Sequence, residues 1–182
     1  MSIEPKRVLA LGFFDGVHLG HQALLRTAVD RAEELGLTPA VFTFDRSPKE
    51  AVTGIKVELL TTVEERMEIV RQLFAIEDVI VAPFDRNMMT MSWEAFIDLL
   101  VERYHAGHLV VGHDFRFGHR NSGTPQLLAQ RCEELGLGWD IVPAVSFDGT
   151  EVSSTHIRTL LQEKRWEEAK RFLGHSLITG IK

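Results

Sequence analysis

The sequence predicts an α/β fold, a parallel sheet with helices on both faces and a small flap subdomain. Three observations predict it. Short, mostly continuous apolar runs recur at 8–13, 40–44, 79–82, 109–111 and 139–142, the pattern of strands buried on both faces. Stretches of helical periodicity lie between them, and strand–helix alternation implies a parallel sheet joined by right-handed crossovers. Segments 45–60, with Pro48 and Gly54, and 85–91, with three methionines, interrupt that rhythm and supply the flap.

Each helix is read from its stripe and its start signal. Leu25, Ala28, Ala32 and Leu35 form the first stripe, which stops at Gly36. Thr61 and Glu64 read as a capping box ahead of Met67, Val70, Leu73 and Phe74. Ser92 precedes the stripe of Trp93, Phe96, Leu100 and Tyr104. Thr124 and Pro125, a cap with proline at the first helical position, open the helix of Leu127, Leu128, Arg131 and Leu135. Residues 153–173 read as a helical tail that Gly174 terminates, and 175–182 begin to look like a further strand. No internal repeat or low-complexity linker appears, and 182 residues at 45% hydrophobic content suffice for one sizeable core.

Composition narrows the function. A formal charge of −6 argues against a broad nucleic-acid or anionic-membrane surface, so an anionic ligand must be met locally. One cysteine, Cys132, excludes an intrachain disulfide framework and fits a reducing compartment. The apolar run after Lys6 and Arg7 is too short for a signal-peptide core, and no stretch reaches membrane-spanning length. The expectation is a soluble, cytoplasmic protein with small-molecule ligands.

Three segments carry chemistry. GFFDGVHLGHQ, residues 12–22, joins the first strand to the first helix. There Gly16 and Gly20 permit close backbone approach, the helix N-terminus offers free N–H groups, and His18 and His21 add donors suited to phosphate. The residues alone leave open a tight turn with incidental histidines; zinc is disfavoured by the lack of HExxH or a cysteine cluster. Neither GxGxxG nor GxxxxGK[ST] occurs, which counts against a dinucleotide site and a Walker-type ATPase. VVGHDFRFGHRNSGTP, residues 110–125, interleaves Phe115 and Phe117 with Arg116, His119 and Arg120. Such a loop suits an aromatic ring carrying phosphate, with core phenylalanines or an RNA-stacking patch as alternatives. SSTHIR, residues 153–158, places hydroxyls at a helix start and Arg158 about one turn in, again suiting an anion.

Taken jointly, GFFDGVHLGH, TFD at 43–45, LLT at 59–61, VGHDFRFG and SSTHIR resemble the adenylyltransferase (FAD synthetase) module of the prokaryotic bifunctional riboflavin kinase/FAD synthetases, over about residues 6–174. The HxGH and SSTxIR elements are shared with the wider nucleotidylyltransferase superfamily; the longer strings are more specific. The resemblance implies a Rossmann-like nucleotidylyltransferase fold in which ATP and FMN are substrates and Mg²⁺ is bound. It implies His18 and His21 as catalytic residues that hold ATP phosphates and stabilise the transition state. Gly12, Phe13, Asp15, Gly16, Gly20, Asp114, Ser154, Thr155 and Arg158 would bind ATP and its phosphates, and no protein metal ligand is assigned. Phe44, Asp45, Arg46, Phe115, Arg116 and Phe117 would bind flavin. The chain reads TFDRSP where relatives commonly read TFDPHP, so Arg46 and Ser47 replace a proline and a histidine. It also implies a domain over 1–174, with 175–182 starting the connection to an absent riboflavin kinase domain. Another small-molecule nucleotidylyltransferase, or a non-catalytic flavin- or nucleotide-binding module, are the alternatives.

Overall fold

The computed structural model describes residues 6–178. Five strands, β1 (Arg7–Leu11), β2 (Thr38–Phe44), β3 (Asp78–Ala82), β4 (Ala106–Gly112) and β5 (Gly138–Val142), form one sheet in the order β3-β2-β1-β4-β5. Every pairing is parallel. The residue alternation of a strand explains why these runs are apolar throughout. Val8, Ala10, Val41 and Val110 face one buried cluster, while Leu9, Leu11, Ala40, Phe42, Leu109 and Val111 face the other.

Helices cover both faces. On the first lie α1 (Leu19–Leu35), through Leu25, Ala28 and Ala32, and α3 (Val63–Phe74), through Ile69 and Val70. The same face carries α7 (Ser154–Gln162) and α8 (Trp166–Leu173), through Ile157, Leu160, Ala169 and Phe172. On the second lie α5 (Trp93–Glu102), through Phe96, Ile97 and Leu100, and α6 (Pro125–Leu135), through Leu128 and Cys132. The interrupting segments hold two short helices, α2 (Pro48–Thr53) and α4 (Arg86–Thr90). Chain order reverses between β1 and β4, so the crevice beyond their carboxyl ends is where this topology places a ligand.

Three local expectations are corrected. The capping box uses Thr62 and Glu65, each side chain accepting from the other's backbone N–H, rather than Thr61 and Glu64. Both pairs have the same spacing, so sequence could not choose; Thr61 is drawn into the site instead. The tail over 153–173 is two helices, broken after Gln162, with Lys164 at φ 60°. Residues 175–178 form no strand, although Ile178 is buried in the first cluster; 179–182 lie outside the described residues. The sequence reading also missed a hairpin, β6 (Ser146–Phe147) and β7 (Thr150–Glu151). Its signal was Asp148-Gly149, whose φ values of 49° and 76° suit a two-residue hairpin turn.

Candidate active site

The turn from β1 into α1 is conformationally demanding. Phe14 (φ 57°), Gly16 (φ 83°) and Val17 (φ 45°) are all left-handed, and the two non-glycine residues cost on the order of 1–3 kcal/mol each. Glycine is required at 16 on a second count, because a Cβ there would lie 2.7 Å from Leu60 Cδ1. The surroundings hold the turn by its carbonyls. Phe13 O accepts from Arg66 Nη1 (2.6 Å) and Thr43 Oγ1 (3.0 Å), and Phe14 O from Val17 N (3.1 Å). Asp15 O accepts from Ser154 Oγ (2.9 Å), Gly16 O from His175 Nε2 (2.8 Å) and Val17 O from Gln22 Nε2 (2.9 Å).

Asp15 joins three parts of the site. Its carboxylate, only 3% exposed, accepts from Leu60 N, Thr61 N and Thr61 Oγ1 at 2.9–3.1 Å and pairs with Arg158 Nη2 at 2.7 Å. Thr61 Oγ1 in turn accepts from Gly16 N at 3.1 Å. The β1 turn, the segment before α3 and the first turn of α7 are thereby fixed to one another.

His18 is the N-cap of α1: its Nδ1 accepts from His21 N (3.3 Å), so the neutral ring carries its proton on Nε2. The His18 and His21 rings stack with centroids 3.6 Å apart and planes 16° apart. Burial pushes His18 down to about 4; burial and the neighbouring His18 push His21 well below the ordinary imidazole range. Both rings are therefore neutral at physiological pH. Folded His18 refuses a proton that the unfolded chain accepts below pH 6.5, so stability is full above that pH and declines toward about pH 4. Melting temperatures across that window should fall, and His18→Asn should flatten the decline; equal slopes in the two proteins would refute the assignment.

Two cavities open at the sheet's carboxyl edge. The larger, about 640 Å³, is walled by aromatic and aliphatic side chains including Phe13, Phe44, Phe84, Phe115, Phe117 and Met88. Phe115 and Phe117 stack at 5.4 Å, and Phe44 meets Phe84 edge-on at 5.0 Å. Its polar lining includes His21, Asp114, Ser154, Thr155 and Arg158. The smaller, about 220 Å³, is lined by His18, Gly20, residues 142–145, Glu151 and Val152. The two share His21, Leu24, Gly112, Asp114 and Ser154.

The expected residues therefore divide into two groups. Gly12 and Arg116 also line the larger cavity. Asp15 and Gly16, within the turn, line neither, while Asp45 and Arg46 lie outside both. Asp45 Oδ1 accepts from Phe84 N at 2.9 Å, and the Arg46 side chain, 65% exposed, runs along Asp45. Ser47 takes the inner place: it lines the larger cavity, is buried, and caps α2 by accepting from Glu50 N.

The FAD synthetase family model matches residues 1–156. The chain belongs to the FAD synthetase family. It is 35% identical over 178 residues to a bifunctional riboflavin kinase/FMN adenylyltransferase of Listeria monocytogenes, covering 97% of this chain and 56% of that protein. It is 34% identical over 179 residues to a FAD synthetase of the same organism, covering 96% of this chain and 71% of that protein. The chain thus spans a little over half the length of the bifunctional relative. A solved structure described as a macrolide-efflux protein from Streptococcus pneumoniae superposes with a TM-score of 0.83 at 27% identity, over 97% of this chain and 58% of that one. Among the described residues here, no helix is long and apolar enough to cross a membrane.

In this FAD synthetase-family chain the sequence reading missed Arg66. Only 2% exposed, Arg66 donates through Nη1 to Phe13 O, Thr43 Oγ1 and Phe44 O and lies 4.2 Å over the Phe13 ring. Its signal was a cation on the buried stripe of α3, three and four residues before Ile69 and Val70. Gln22 and His175 gave no comparable signal, because their carbonyl partners are defined only by the fold. Among the described residues no three acidic, histidine or cysteine side chains gather as a ready-made metal site. The carboxylates on the cavity walls are Asp114 and Glu151. That donor set fits Mg²⁺, which takes one or two carboxylates together with substrate phosphates.

Proposed function

We propose that this chain transfers AMP from ATP to the phosphate of FMN, giving FAD and pyrophosphate. The observation that carries the reading is the meeting of two cavities, one large and aromatic and one small, at a common wall that holds His21, Asp114 and Ser154. A two-substrate group transfer needs that layout, because the reacting phosphates must meet while their rings are held apart. The flavin ring lies in the larger cavity against Phe44, Phe115 and Phe117, with Arg116 at its wall. The adenine lies in the smaller one.

An FMN phosphate oxygen attacks the α-phosphorus of ATP in line; the new P–O bond forms as the bond to the β-phosphate oxygen breaks and pyrophosphate leaves. No protein nucleophile is required. His18 and His21 donate to the α-phosphoryl oxygens as charge develops there, with Gly12 and Gly20 allowing close approach. Ser154, Thr155 and Arg158 receive the β- and γ-phosphates. Asp15 and Gly16 act from within the turn, Asp15 by orienting Arg158. Asp114 would hold Mg²⁺ together with the ATP phosphates, where the ion would supply charge neutralisation on the leaving group. Asp45 and Arg46 shape the flap beside the flavin. We place this unit at residues 1–174, with the segment through Ile178 packed against it, in the cytoplasm, with small molecules rather than nucleic acid or membrane as its ligands, and with a riboflavin kinase domain following it in full-length relatives.

Incubation with FMN, ATP and Mg²⁺ should yield FAD and pyrophosphate in equal amounts. Riboflavin lacks the attacking phosphate, so the same chain should return it unchanged under identical conditions. Chromatography of the two reactions side by side is the check. FAD absent from the first, or FMN formed in the second with contaminating kinase excluded, would overturn the reading.

A further inference from the structure

The segment after the last helix reaches back to the catalytic turn. His175 Nδ1 accepts from Leu177 N at 3.2 Å, which leaves the proton of the neutral ring on Nε2, and Nε2 is 2.8 Å from Gly16 O. Beside it, Gln22 Nε2 bridges Leu173 O (2.7 Å) and Val17 O (2.9 Å), and a Cβ on Gly174 would strike Leu19. The end of α8 is therefore packed under the turn, on the side away from both cavities.

We propose that His175 is a positioning residue for the adenylyl transfer, holding the Gly16 carbonyl turned away from the phosphates. This rests on the function proposed above. Carbonyl oxygens and phosphate oxygens repel, so a phosphate-binding turn must direct its carbonyls elsewhere, and all five from Phe13 to Val17 have donors. The peptide joining Gly16 to Val17 is the one most free to flip. Gly16 has no Cβ to oppose the change, and a flip would relieve the left-handed φ of Val17 (45°). Against that relief stand the Val17 N–H bond to Phe14 O and the His175 bond to Gly16 O. Removing the second favours the flip, which turns the Gly16 oxygen away from His175 and disturbs the start of α1, where His18 is the cap.

The experiment uses the full chain with His175→Phe, which keeps a flat ring without a donor, and His175→Gln, which keeps an N–H donor. Each is measured for melting temperature, affinity for a non-hydrolysable ATP analogue, FMN affinity by flavin fluorescence, and kcat and KM for both substrates. His175→Phe should weaken the analogue about tenfold, the scale of one lost hydrogen bond, and lower kcat/KM for ATP at least as much. FMN affinity should stay within about twofold and His175→Gln within about threefold of the parent throughout. A folded His175→Phe with parental analogue affinity overturns the proposal. So does a folded His175→Gln as weak as the phenylalanine variant, or a parallel loss of ATP and FMN binding that follows melting temperature. The analogue titration does not involve the acceptor. A parent chain that binds the analogue and yields no FAD therefore refutes the FMN reading alone.

Discussion

Replacing His21 with alanine is expected to lower the rate of FAD formation by about a hundredfold or more, the scale of one lost transition-state donor. No other histidine lines both cavities; its Nδ1 is buried without a partner, and its neighbour His18 is fixed in tautomer by the cap it makes to His21 N. A neutral imidazole held in a buried, preorganised place loses little in reorganisation when charge develops on a phosphoryl oxygen. The measurement is the single-turnover rate at saturating ATP and FMN, with the melting temperature as control. His21→Ala also removes the ring stacked on His18, so some loss of stability accompanies the change. A folded variant with parental turnover would assign the ring to packing alone.

Asp15→Asn should cost about 3 kcal/mol of stability and weaken ATP binding more than FMN binding. The amide keeps the shape but removes the charge that Arg158 faces, and its NH₂ group meets donors at Leu60 N and Thr61 N. The lower part of the range for a broken buried pair applies because the Arg158 side chain remains 20% exposed. Denaturant unfolding of Asp15→Asn, Arg158→Met and the double variant gives the coupling directly. A double variant whose loss equals the sum of the singles would show that the 2.7 Å contact contributes no coupling.

Thr61 shows where the sequence stopped being legible. The five strands, the alternating order and the main helix starts were readable because each is written in local periodicity or in a cap within a few residues. The glycine- and histidine-bearing turn was readable for the same reason: strand, turn and helix start are consecutive. Thr61 could not be read correctly, since Thr61–Glu64 and Thr62–Glu65 have one spacing and only the distant Asp15 chooses between them.

The sequence by itself determined that a parallel α/β sheet would carry, after its first strand, a glycine-bearing turn with His18 and His21 at the start of the first helix. Tertiary structure alone decided which residues of the site face the cavities and which face inward. Asp15 and Gly16 face inward, toward Thr61, Arg158 and His175, residues 45 to 159 positions away. His21, Ser154 and Arg158 face the cavities. The physical reason is that a turn with three left-handed residues persists only if donors from β2, α1, α3, α7 and the segment after α8 all reach its carbonyls. That convergence is a property of the packed chain, and no window of sequence contains it.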